Sequence, residues 1–156
     1  MTPREYLDEI CEPFVKDFIG SPTSVRHAWA ATIALFHFED YLASAMGLVV
    51  KKDREELRAQ LEADFPDFSI IRDIANANKH FALNRGRRTG LSTHHIKVGA
   101  SAAFSDGTYF SDGTSFAEHE DVVRIEFQGE IVDLMHLCER CLVYLRSNIS
   151  DFPNVG

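Results

Sequence analysis

The sequence predicts a mainly α fold, a bundle of four to five helices with a small antiparallel β hairpin inserted before the last helix. Apolar residues recur at helical spacing up to Gly86, the pattern then changes to β-branched residues in partial alternation, and helical spacing returns near the end of the chain. A chain of 156 residues is the size of one ordinary domain. We therefore predict a single domain, 1–156, with the helical bundle at 1–86 and 129–150 and the β and loop insertion at 87–128.

The first helix is predicted to begin at the motif TPRE. Thr2 is a suitable N-cap, Pro3 is favoured at the first helical position, and Glu5 completes a capping box. Pro13 removes a backbone donor inside the helical pattern, so we expect a kink or break there and an end by Gly20.

The next three helices follow from similar signals. Ser21 is predicted to cap a long helix that ends at Gly47, and because this helix is apolar almost all round it should be buried on several sides. The third helix is polar, with Asp53 as its predicted N-cap. The fourth is predicted to span about residues 67–85, with Gly86 as its terminator.

The residues after the fourth helix have the pattern of strands. THHIKVGASAAF and DVVRIEF, residues 93–104 and 121–127, are rich in β-branched side chains. Between them lies SDGTYFSDGTSF, a tandem repeat with two Asp-Gly turn signals, which predicts a long hairpin tip or loop. A calcium site at Asp106 and Asp112 is the alternative, although the usual series of liganding residues is missing. The last helix is predicted to begin near Gly129. Its core stripe comprises Ile131, Leu134, Met135, Cys138, Leu142, Leu145 and Ile149.

Composition excludes several classes of protein. The apolar content of 45% and the charged content of 26% are those of a globular domain. No apolar run is long enough to span a bilayer and the first residues do not resemble a signal peptide, so we expect a cytoplasmic protein without a membrane partner. Cys11, Cys138 and Cys141 fall on predicted core faces, which favours reduced buried thiols. The C-x-x-C spacing of the last two leaves a metal or redox site as an alternative.

The charges are segregated along the chain. The net charge is −8, but residues 74–105 contain none of the 24 acidic residues and five of the 16 Lys and Arg residues. An acidic body with one basic segment is compatible with a local phosphate site. The alternative is that these cations balance acidic neighbours in the same fold or in a partner subunit. The cations that we predict to bind are Lys79, Arg85, Arg87 and Arg88.

A polar ridge lies on the fourth helix, within the sequence RDIANANKH at residues 72–80. The stripe beside the apolar face comprises Asp73, Asn76, His80 and Asn84. Arg72 and Lys79 lie further round the helix. Asn is a poor residue for a helix interior. A cluster of Asn on one helix therefore indicates either a polar network that satisfies buried groups or a functional site.

A second polar group, His37 and Asp40, lies on the long apolar helix. If the second and fourth helices pack antiparallel, these residues could meet Asp73 and His80, and two His with two Asp would make a conceivable metal site. A His inside an apolar helix is more often a satisfied core residue. We place His37 and Asp40 among the predicted binding residues, and we expect neither a metal nor a cofactor.

The run DIANANKHF, followed by a basic loop and a β segment, resembles small uncharacterised bacterial and phage proteins that carry a D-[IL]-A-N-x-x-K-H helix. Those proteins are similar to the HEPN superfamily of helical bundles. The resemblance implies a homodimer that binds RNA or nucleotides, or cleaves RNA without a metal, with Arg72, Asp73 and His80 at the positions of the family's Arg, polar residue and His. His80 would then act as general acid or base, Arg72 would stabilise charge on the phosphate, and Asn76 and Asp73 would orient His80 or the substrate.

Three functions remain open at this point. The first is a HEPN-like protein that binds or cleaves RNA or nucleotides. The second is a non-enzymatic protein-interaction module, such as a phage or toxin–antitoxin accessory protein, in which the polar ridge is a structural network. The third is a metal-dependent enzyme built on His37, Asp40, Asp73 and His80. A resemblance in fold does not decide between them.

Overall fold

The fold is mainly helical, as predicted, and it is described here from a computed structural model. The structure describes residues 1–80, 88–100 and 121–151, without the side chains of His80 and Asp151. The helices are α1 (Pro3–Tyr6), α2 (Glu12–Ile19), α3 (Val25–Ala45), α4 (Lys51–Asp64), α5 (Phe68–His80) and α6 (Leu134–Asn148). The strands are β1 (Ile96–Ala100), β2 (Asp121–Phe127) and β3 (Glu130–Asp133). The tandem repeat, with Asp106 and Asp112, lies outside the described residues.

The helix start at TPRE is confirmed by a complete capping box. The Thr2 hydroxyl accepts from the backbone N–H of Glu5 at 3.2 Å, and the Glu5 carboxylate accepts from the backbone N–H of Thr2 at 2.7 Å. The expected break at Pro13 takes the form of a π-helical turn, Leu7–Cys11, that joins α1 to α2. Because proline cannot donate to the carbonyl four residues earlier, the wider turn before it lets the helix continue, and α2 ends at Gly20 as predicted.

Helix α3 begins later than predicted. Its N-cap is Ser24, whose hydroxyl accepts from the backbone N–H of His27 at 3.3 Å, and Ser21 lies in a preceding turn. The carbonyl of Pro22 in that turn accepts from the backbone N–H of Val123 on β2 at 2.8 Å. This tertiary hydrogen bond holds the turn out of the helix, so the prediction of Ser21 as N-cap is wrong.

Helix α4 begins two residues before the predicted cap. Its N-cap is Val50, whose side chain makes no capping hydrogen bond, and Asp53 lies within the first turn. A carboxylate in the first turn still interacts favourably with the helix dipole, which explains why Asp53 resembles a cap in the sequence. Gly47, with φ at 69°, ends the preceding helix as predicted.

The β element is a three-stranded antiparallel sheet in the order β1-β2-β3, rather than a single hairpin. The predicted pairing of the two strand segments is confirmed, with Val98 opposite Val123. The last helix does not begin near Gly129, because Gln128 and Gly129 have φ angles of 52° and 85° and form a two-residue hairpin turn into β3. Ile131 is therefore 44% exposed on β3 and is not part of the core stripe.

The core forms around α3, which packs against α2, α5 and α6. Its largest fully buried side chains include Phe18, Phe38 and Phe68, and Val123 of β2 brings the sheet into the same cluster. The three cysteines are buried and free, as predicted. Burial raises the pKa of the Cys11 thiol to about 12 and also raises the pKa values of the other two thiols. Among the described residues, no helix is both long and apolar enough to cross a membrane.

Helix α4 is joined to α3 by two ion pairs of different burial. Glu39 is 2% exposed, and its two carboxylate oxygens accept from Nε and Nη2 of Arg58 at 2.7 and 2.6 Å. The neighbouring Asp40 accepts from Arg54, and both of these side chains are exposed to solvent. Because a buried carboxylate needs a partner more than an exposed one, the Glu39–Arg58 pair should stabilise the α3–α4 contact more strongly.

We predict that Glu39→Gln lowers the free energy of unfolding by about 2 kcal/mol, because it leaves the Arg58 guanidinium without its buried counter-charge. The matched control is Asp40→Asn, which breaks the exposed pair and should cost less than about 1 kcal/mol. Urea unfolding followed by circular dichroism measures both values. Equal losses for the two variants would contradict this account of the α3–α4 contact.

Candidate functional site

Helix α5 carries the predicted polar ridge. Ile71, Ile74 and Ala77 are buried against the bundle, which fixes the orientation of the helix. Asp73 is only 2% exposed and so lies with the core face rather than beside it. Asn76 is half-buried and Lys79 is exposed, further along the helix. Within residues 72–79 the helix therefore changes from a buried charge at Asp73 to an exposed side chain at Lys79.

Asp73 is held by two arginines. One carboxylate oxygen, Oδ1, accepts from Nε and Nη2 of Arg72 at 3.0 and 2.9 Å, and the other, Oδ2, accepts from Nη1 of Arg88 at 3.1 Å. Nη1 of Arg72 donates in turn to Glu62 on α4. The side chain of Asp73 is 3% exposed, and those of Arg72, Arg88 and Glu62 are 18%, 19% and 21% exposed. We call these four residues the Asp73 network.

The Asp73 network joins residues for which separate roles were predicted. Arg72 and Asp73 were predicted as catalytic and Arg88 as binding, and the structure brings all three together. Arg88 begins a turn in which its carbonyl accepts from the backbone N–H of Leu91 at 2.9 Å. Leu91 is 1% exposed, so the chain is anchored to the bundle on both sides of this turn.

The other predicted residues of the basic segment are less fully described. Arg85 and Arg87 lie outside the described residues, as does the side chain of His80. Helix α5 is continuous from Phe68 to His80. The backbones of Arg72 and His80 are therefore separated by about 12 Å along the helix axis.

His37 and Asp40 lie apart from the Asp73 network. Nδ1 of His37 is 3.0 Å from Asp40, and Asp40 also accepts from Arg54 of α4. Both residues are exposed on α3 and share none of their ion pairs with Asp73. Within residues 1–80, 88–100 and 121–151, no group of three or more His, Cys, Asp or Glu side chains is arranged to hold a metal ion.

Sequence reasoning missed Glu62. It lies ten residues before Arg72 on a different helix, so no periodic pattern connects the two residues. The spacing of α4 does contain a signal, because Arg54, Arg58 and Glu62 recur every four residues and each pairs with α3 or α5. Charges repeated at that spacing beside the buried Leu57 and Leu61 indicate a helix edge that makes ion pairs rather than a fully solvated face.

Comparison of the chain with protein-family models gave no match, and comparisons with curated proteins and with solved structures likewise gave no significant match. The HEPN resemblance therefore stays a prediction that rests on the short stretch around residues 70–90.

We predict that Asp73→Asn lowers the free energy of unfolding by about 3 kcal/mol, since it leaves two partly buried guanidinium groups without their shared carboxylate. Thermal and urea unfolding measure the loss. The control is Asp67→Asn on the same segment, because Asp67 pairs with Arg140 in a more exposed position, and it should cost less than about 1 kcal/mol. If Asp73→Asn were as stable as the control variant, the Asp73 network would have no structural role.

Proposed function

We propose that this protein is a helical module that binds RNA or nucleotides through their phosphates, on the side of α5 that carries Arg72 and Lys79, and that it does not cleave them. The observation that carries the proposal is the ion pair between Arg88 and the buried Asp73. This pair attaches Arg88, a cation of the basic segment 74–105, to α5. Lys79 is exposed to solvent on the same helix.

The geometry of α5 supports a phosphate-binding row. Arg72 and Lys79 are seven residues apart on one helix, so they project from nearly the same side and about 10 Å apart along the axis. Asn76 lies between them and is half-buried, and an amide side chain can donate to a phosphate oxygen. Arg88 adds a second guanidinium beside Arg72 through their shared partner Asp73.

The charge distribution supports a polyanion as the ligand. Residues 74–105 contain no acidic side chain, although the chain as a whole has a net charge of −8. A cationic segment on an acidic body attracts phosphate locally, and binding of this kind weakens steeply as salt is added. Arginines suit the role because their planar guanidinium groups match phosphate geometry.

The Asp73 network supports binding over cleavage. A catalytic arginine must offer its donors to the charge that develops on the phosphate. In this structure Arg72 directs donors on all three of its nitrogens to Asp73 and Glu62. A HEPN-like homodimer would bring Arg72 and His80 of one protomer close to those of its partner. Such a dimer is the arrangement in which cleavage would become possible.

A second candidate function is a protein-interaction module in which the ridge is structural. The charge balance of the Asp73 network favours it, because two arginines meet two carboxylates and no net charge remains. The two candidates differ in one observable property, since only the first requires an affinity for RNA that depends on the cations of residues 79–88.

We predict that the wild-type protein binds a mixed-sequence single-stranded RNA, and that the triple variant Lys79→Gln, Arg85→Gln, Arg87→Gln binds it at least about tenfold more weakly, because three phosphate contacts are lost. Fluorescence anisotropy at several salt concentrations measures both affinities. The slope of log affinity against log salt should become shallower by about 2 in the variant, since each lost contact contributes about 0.7 for a single strand.

The control for this experiment is the variant Lys16→Gln, Lys51→Gln, Lys52→Gln. These three lysines are strongly exposed, and each pairs with a glutamate of its own helix. Both variants change the net charge from −8 to −11. Equal weakening by the two variants would show that only the overall charge matters, and an absence of RNA binding by the wild type would contradict the proposed function.

We predict that the protein leaves RNA intact when divalent metals are chelated, and that His80→Ala gives the same result, because Arg72 is occupied by two carboxylates. Denaturing gel electrophoresis of end-labelled RNA over several hours is the measurement. Metal-independent cleavage by the wild type that disappears in His80→Ala would contradict binding without cleavage and would assign His80 the role of general acid or base.

A further inference from the structure

In the Asp73 network, one buried carboxylate orients two arginine side chains. Arg72 and Arg88 contact the two different oxygens of one buried carboxylate, so both guanidinium groups are held at Asp73. Each arginine side chain keeps about one-fifth of its surface exposed, at 18% and 19%, whereas Asp73 keeps 3%. Asp73 thus fixes both cations without closing the site to solvent.

The remaining nitrogen of Arg72, Nη1, is occupied by an anion of the chain itself. The carboxylate of Glu62 accepts from Nη1 of Arg72, the nitrogen that Asp73 does not use. Glu62 comes from α4, which makes few contacts with α5, and its side chain is 21% exposed. An external anion that accepts from Nη1 of Arg72 would therefore take the place of the Glu62 carboxylate.

Asp73 and Glu62 do not use all the donors of the two arginines. Each guanidinium has five N–H donors. Asp73 accepts from Nη1 of Arg88, so this contact does not use Nε and Nη2 of Arg88. An anion with three terminal oxygens offers acceptors for both arginines, whereas among the described residues the Glu62 carboxylate accepts from Arg72 and not from Arg88.

We propose that Arg72 and Arg88 form a site for a phosphate monoester, and that the monoester binds there by displacing the Glu62 carboxylate. The ligand is the terminal phosphate of a nucleotide or of the 5′ end of an RNA, and the RNA source rests on the proposed function. Glu62 is then an internal competitor that sets how tightly the site binds.

Charge selects the monoester over the internal phosphates of RNA. A phosphate monoester carries about −1.5 to −2 at pH 7, whereas a phosphodiester and the Glu62 carboxylate carry one negative charge each. A monoester therefore gains more from two adjacent guanidinium groups than the carboxylate that it replaces. A phosphodiester has no such advantage over Glu62, so the internal phosphates of a strand should displace it much less readily than a monoester does.

The test compares two RNAs of identical sequence, one with a 5′-phosphate and one with a 5′-hydroxyl, and adds adenosine monophosphate as a third probe. Affinities are measured for the wild type, for Glu62→Gln and for the control Glu56→Gln. Glu56 is an exposed glutamate of the same helix that pairs with Lys52, so both variants remove one negative charge from α4. Thermal unfolding checks that all three proteins are folded.

We expect the wild type to bind the 5′-phosphorylated RNA several-fold more tightly than the 5′-hydroxyl RNA. Glu62→Gln should increase the affinity for the phosphorylated RNA by about tenfold, which corresponds to about 1.4 kcal/mol, and should change the affinity for the 5′-hydroxyl RNA much less. Glu56→Gln should behave as the wild type does. Binding of adenosine monophosphate that is strengthened in the same way would show that the phosphate itself is recognised, and its absence would contradict the phosphate-monoester site.

The outcomes separate this proposal from the proposed function. If both RNAs bind equally well and Glu62→Gln changes neither affinity nor nucleotide binding, the phosphate-monoester site is wrong while RNA binding stands. If neither RNA binds but adenosine monophosphate binds and responds to Glu62→Gln, the site is a nucleotide site and RNA binding is wrong. An equal gain in Glu62→Gln and Glu56→Gln would show an effect of overall charge and would overturn the role of Glu62.

Discussion

The burial of one carboxylate, that of Asp73, is the constraint on which the candidate site depends. A carboxylate removed from water is strongly destabilising unless cations and hydrogen bonds replace its hydration. Arg72 of the same helix and Arg88, which follows that helix in the chain, supply the cations and the hydrogen bonds. This requirement attaches the start of residues 88–100 to α5 and, through Glu62, connects α4 to α5. One buried charge thereby organises three parts of the chain around a pair of cations.

A buried carboxylate is also compensated by an arginine between α3 and α4. There the two carboxylate oxygens of Glu39 each accept a hydrogen bond from Arg58. Helix α4 contributes little apolar surface, chiefly Leu57 and Leu61, so its position depends on charge pairs to a larger extent than that of the other helices. The proposed displacement of Glu62 by a ligand phosphate would exchange one anionic partner of Arg72 for another.

The fold class could be predicted from the sequence because its signals are local. The capping box at Thr2 and the glycine that ends α3 depend on residues adjacent in the chain, and both are confirmed. The predictions that failed depend on distant partners. Ser24 replaces Ser21 as N-cap because Val123 binds the turn between them, and a two-residue turn that leads into β3 replaces the predicted helix start. For the candidate site, the helical pattern and the resemblance predicted roles for Arg72 and Asp73, and the segregation of charge predicted one for Arg88. These signals could not show that the two arginines share the Asp73 carboxylate or that Glu62 joins them.

The measurement that tests the central claim most directly is nuclear magnetic resonance of the arginine Nε–H groups, recorded as adenosine monophosphate is added to the wild-type protein. Resonances are assigned with single Arg→Lys variants, and Arg140 and Arg146, which pair with carboxylates elsewhere, serve as internal references. The account predicts that the Arg72 and Arg88 signals shift together and saturate at one concentration, while the reference signals stay unchanged. Uniform shifts of all four signals, or no shift at Arg72 and Arg88, would contradict a phosphate site held in place by Asp73.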